Sequence, residues 1–64
     1  MSSLSFGQNK SKAIESLELG QIEFANKNYR EAKKYFLNAV NNDTLSKNLW
    51  FNLATTQLLL GDND

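Results

Sequence analysis

Cysteine, histidine and proline are all missing from the 64 residues, and glycine occurs three times. Without histidine or cysteine the chain lacks the usual zinc ligands, the thiol nucleophile and the commonest general base. Disulfide staples are excluded as well, and a thiol-free chain suits a reducing compartment. The absence of proline and scarcity of glycine disfavour an all-β fold, which needs many turn residues, and suit helices. Net charge is also missing, because seven Lys+Arg balance seven Asp+Glu. That balance argues against a nucleic-acid binder, whose affinity rests on phosphate neutralisation, and against a polybasic membrane anchor. The longest apolar runs, such as Leu58–Leu60, have only three residues, against the roughly 20 residues of a membrane span. The opening MSSLSFGQNKSK lacks the apolar core of a secretory signal and reads as a polar arm over residues 1–9. The expected location is cytoplasmic or nuclear, with no membrane and no nucleic acid among the partners.

What remains is a short chain with a helical pattern. A domain near 60 residues buries only about 60% of its unfolded surface, so an additional interface would help it. The first helix is expected from Lys10–Ala13 to about Asn26, with Ile14, Leu17, Gln21 and Phe24 at 3–4 spacing and Leu19 and Ile22 widening the apolar arc. Gly20 interrupts it. A mid-helix glycine costs roughly 1 kcal/mol against alanine and points to close approach of another helix. Asn26–Asn28 is the first break, since asparagine tolerates left-handed geometry. Asn28 is placed to cap the second helix through its side chain, with Glu31 completing a capping box. That helix, about Tyr29–Asn41, carries Tyr29, Ala32, Phe36, Ala39 and Val40 on one stripe. Asn41–Thr44 is the second break, Thr44 or Ser46 the next cap, and the third helix runs about Leu45–Leu60. Gly61 then supplies a left-handed stop. The unit 10–61 is thus three antiparallel helices joined by two short turns, with residues 62–64 as a tail.

A shift of 34 residues lays the third helix on the first: Leu53 falls on Leu19, Ala54 on Gly20, Leu58 on Phe24 and Phe51 on Leu17. Within the first copy, Leu19-Gly20, Phe24, Tyr29, Ala32, Phe36 and Ala39 alternate large and small, and Trp50, Leu53 and Ala54 open a second copy. This pattern resembles the tetratricopeptide repeat, one full repeat followed by the first helix of another. The resemblance implies an all-α fold, a right-handed tetratricopeptide-like hairpin stack forming a piece of an α-α solenoid. It departs from the pattern at Ser16, where a bulky aromatic is usual, at Glu23, where a tyrosine is common, and at Thr44, where proline usually ends the helix.

Candidate chemistry is sparse. Glu15 and Glu18 read as a solvated helical face, and Gly61–Asp64 has neither the spacing nor the closing glutamate of a calcium loop. Lys27, Arg30, Lys33 and Lys34 read as a solvated face beside Glu31. No catalytic residue, metal or cofactor is expected. In the family, the inner faces of the first helices receive a peptide or partner helix. By that resemblance the partner-binding candidates are Leu17, Gln21, Phe24, Phe51, Asn52 and Thr55. Some members clamp the terminal carboxylate of chaperone tails; Asn52 falls on one clamp asparagine, but Leu17 and Gln21 stand where a lysine and an asparagine are wanted, so that ligand is not expected. The third helix has more apolar surface than one neighbour can cover. Self-association through Trp50, Leu53, Leu58, Leu59 and Leu60, as a homodimer or as continuation of a longer repeat array, is the expectation. The alternatives are a structural helical bundle whose repeat spacing is incidental and, further off, a nucleic-acid-associated regulator.

Overall fold

The computed structural model describes residues 9–61, and the remainder of the expected arm and tail, residues 1–8 and 62–64, lies outside the described residues. Three helices follow one another: α1 (Lys10–Ala25), α2 (Tyr29–Asn42) and α3 (Lys47–Leu60). The fold is an all-α hairpin stack. α2 packs against both α1 and α3, so it is the central helix. Its stripe of Ala32, Phe36, Ala39 and Val40 is fully enclosed, as the 3–4 spacing predicts.

The inward face of α1 differs from the expectation. Ile14, Leu19 and Ile22 are exposed, and the helix turns Ala13, Ser16 and Gly20 inward instead. The cause is close packing. Gly20 lies under the ring of Phe36, and a Cβ built on it would sit 2.5 Å from Phe36 Cε1 and 2.7 Å from Cδ1. A small face on one helix receives a large residue from the other, which draws the two backbones together. Leu17 and Phe24 flank this contact, half-buried against the core. Ser16, standing where the repeat pattern has an aromatic, is buried and accepts a hydrogen bond from Asn38 Nδ2. At the Ser16 position a polar bridge to α2 thus takes the place of the expected ring.

The helix ends show which cap chemistry operates. Asn9, expected in the arm, is the N-cap of α1; its Oδ1 accepts from Lys12 N at 3.1 Å. Its own backbone N–H donates to Asn42 O at 2.7 Å and fastens the start of α1 to the end of α2. Asn28 does occupy the N-cap of α2, but its side chain makes no cap bond. It donates instead to Glu23 Oε1 at 2.9 Å, while Glu31 pairs with Lys34. The capping box is thus replaced by a bridge back to α1. In the same turn the left-handed residue is Lys27, at φ 65°, rather than an asparagine. α3 starts at Lys47, later than expected, with Ser46 at the N-cap position but no side-chain cap bond, and with Leu45 exposed in the turn. Trp50 Nε1 reaches back to Thr44 O at 2.9 Å and braces that turn. Gly61 ends α3 in the expected left-handed conformation, φ 67°.

Candidate partner-binding faces

Two surfaces are built from this packing. The first is a cleft between α1 and α3 with α2 as its floor. α1 contributes Gln21, Phe24 and Ala25, α2 contributes Phe36, and α3 contributes Phe51, Asn52 and Thr55, around a volume of about 340 Å³. Five of the six partner-binding candidates therefore lie together. The sixth, Leu17, faces the core instead. Ala25 and Phe36 complete the lining and were not singled out from sequence; Phe36 reads there as core, because nothing in the pattern tells that one edge of its ring faces a cleft.

The floor is stiffened by aromatic packing. Phe24 meets Tyr29 edge-on at 5.1 Å between centroids and Phe36 at 6.5 Å, tilted. Such contacts are worth about 0.5–1.5 kcal/mol beyond area burial. Among the described residues, no charged side chain lines the cleft. Its polar groups are two carboxamides and one hydroxyl, which can both donate and accept. The arrangement suits an apolar side chain flanked by peptide groups, not an ion.

The second surface is the outer side of α3. Leu53 is buried against α2 together with Leu49 and Thr56, and Leu60 is half-buried. This corrects the self-association set: Leu53 is already covered within the chain, because Leu49, Leu53, Thr56 and Leu60 form one inward stripe. Leu49 and Thr56 were not foreseen in that stripe, although the 4-3-4 spacing carries the signal. The exposed apolar residues are Trp50, Phe51, Leu58 and Leu59. A 34-residue shift makes sense of the division. It carries the inward set of α1 (Ala13, Ser16, Leu17, Gly20, Phe24) onto Lys47, Trp50, Phe51, Ala54 and Leu58, all exposed. In reverse it carries the buried residues Leu49, Leu53 and Thr56 onto Glu15, Leu19 and Ile22, likewise exposed. The two helices share one pattern but use opposite sides of it against α2.

Among the described residues no group of three or more His, Cys, Asp or Glu converges on a metal-sized site. Nor is any helix among them long and apolar enough to cross a membrane. No family model, curated protein or solved structure matches the chain.

Proposed function

We propose that the chain is a non-catalytic protein-interaction module of tetratricopeptide type, working in the cytoplasm or nucleus. Its α1–α3 cleft holds an apolar anchor from a peptide or partner helix, and its α3 face self-associates. The carrying observation is the cleft itself: a volume of about 340 Å³, aromatic at its floor, with Gln21, Asn52 and Thr55 in the lining and no charge. An aromatic-lined hollow with a few polar groups is the general form of a recognition site. Panning a random peptide library on the chain tests the reading. Selected peptides should carry an aliphatic or aromatic anchor among uncharged neighbours. Thr55→Glu, which sets a charge in the cleft, should weaken them at least about tenfold. Enrichment of acidic peptides indifferent to Thr55→Glu would move the site to the basic side of α2 and overturn the assignment.

A further inference from the structure

The self-association proposed above needs a surface, and the exposure pattern of α3 narrows it. Trp50, Phe51, Ala54 and Leu58 are exposed and fall within about 100° of the helix circumference at 3.6 residues per turn. Lys47 is the one charge in that arc. The outer side of α1 also exposes Ile14, Leu19 and Ile22, but there Glu15 and Glu18 are interleaved with them. The α3 face, with Lys47 as its one charge among the described residues, is the less charged of the two.

We propose that two copies of the chain pair through this face of α3, antiparallel and centred on Ala54. The residues are placed symmetrically about that point. Trp50 and Leu58 each lie four positions from Ala54, and Lys47 and Gly61 each lie seven. An antiparallel two-fold at Ala54 seats each Trp50 on the Leu58 of the second copy, and the small Ala54 lets the backbones approach. It also sets each Lys47 over the other copy's helix end at Gly61. α3 has a lysine in its first turn, no acidic residue there and no basic residue in its last turn. The cation thus sits at the wrong end of its own helix dipole, and antiparallel pairing places it at the favourable end of another. A parallel pair would instead oppose Lys47 to Lys47.

The area sets the strength. Trp50, Phe51 and Leu58 are 48%, 70% and 82% exposed. With side chains of about 150–250 Å², that leaves roughly 400 Å² per copy. A pair burying roughly 800 Å² falls below the ~1,200 Å² of stable complexes, so a weak, transient dimer is expected.

The inference rests on the self-association reading, and the test separates the two. Sedimentation equilibrium of the intact chain up to millimolar concentration should show a monomer–dimer exchange. A monomer throughout would overturn both. Given a dimer, Lys47→Glu should raise its Kd about threefold or more while raising the thermal midpoint of the monomer, because the acidic group suits its own helix start. Ala54→Cys, the sole thiol of its chain, should oxidise to a disulfide-linked dimer, and Asn48→Cys, outside the arc, should not. A dimer indifferent to Lys47→Glu, or one that cross-links through Asn48→Cys and not Ala54→Cys, would overturn the antiparallel α3 pair alone.

Discussion

Replacing Gly20 by alanine sets two opposed effects against each other, and the structure decides between them. Alanine in a helix interior gains about 1 kcal/mol over glycine from backbone propensity. The added Cβ, however, would lie 2.5, 2.7 and 3.1 Å from three carbons of the Phe36 ring. That ring is 2% exposed, so it must move by several tenths of an ångström or push α1 away from α2. Overpacking of a filled core costs about 1–3 kcal/mol. The net expectation is a loss of about 1 kcal/mol, which matters in a 64-residue chain whose whole stability is on the order of 3–10 kcal/mol. The thermal midpoint should fall by about 4–8 °C, followed by circular dichroism. Because Phe36 also floors the cleft, a displaced ring changes its lining, so peptide binding should weaken in parallel. The double variant Gly20→Ala/Phe36→Leu should recover about 1 kcal/mol relative to the sum of the single changes. A Gly20→Ala chain stabilised by about 1 kcal/mol, with an additive double variant, would refute the close contact.

Three further substitutions probe the same packing. Asn9→Ala should cost about 1 kcal/mol in urea unfolding, because it removes a real cap bond to Lys12 N, whereas Asn28→Ala should cost clearly less, since its side chain caps nothing. Equal costs would mean that the bridge to Glu23 carries as much as a cap. Gly61→Ala should cost about 1 kcal/mol from the left-handed backbone alone, as nothing lies within 4 Å of its Cβ position; hydrogen exchange in the last turn of α3 reports it. Ala39→Leu, at a position with 0% exposure, should cost about 2–3 kcal/mol by prising α2 from its neighbours, again read by urea unfolding.

The helices and their breaks were legible because each carried a local signal. Gly61 after a leucine run reads as a left-handed stop, and the Ala32, Phe36, Ala39 stripe reads as a buried face. Gly20 announced a close approach because a glycine inside a helical pattern needs a reason. The orientation of α1 was not legible from apolar spacing. Its large residues run around most of the circumference, and hydrophobicity alone favours turning Ile14 and Leu19 inward. The outcome is set instead by the shape of Phe36, which needs the small face of Ala13, Ser16 and Gly20. Cap chemistry failed for a related reason. Asn28 fits a capping box in sequence, but its Nδ2 donates to Glu23 Oε1 in α1, which holds the carboxamide away from the free amides of α2, and its backbone N–H goes to Glu23 O rather than to Glu31. Of the cleft candidates only Gln21 and Thr55 match across the 34-residue shift, whereas Phe24 matches Leu58, Phe51 matches Leu17 and Asn52 matches Glu18; α1 and α3 bring different sides of the pattern to the cleft. Phe36 escaped notice because a residue can be core and floor at once.

This choice of small inward faces has a thermodynamic consequence. Trp50, Phe51 and Leu58 stay in water, although each would gain about 1.5–3 kcal/mol if fully buried. Whatever covers them must therefore stabilise the native chain by mass action, since an unfolded chain presents no such face. For a weak dimer with a Kd of, for instance, about 100 μM, raising the chain from micromolar to millimolar concentration adds roughly 1 kcal/mol. The thermal midpoint should then climb by about 4–8 °C over that range. Leu58→Gln should flatten the climb without lowering the midpoint at micromolar concentration, because Leu58 is 82% exposed in the single chain and a neutral side chain does not oppose the helix dipole in that last turn. A midpoint independent of concentration in a chain that sedimentation shows to associate would mean that the contact forms equally well from unfolded molecules, and the folded α3 face would then have no part in it.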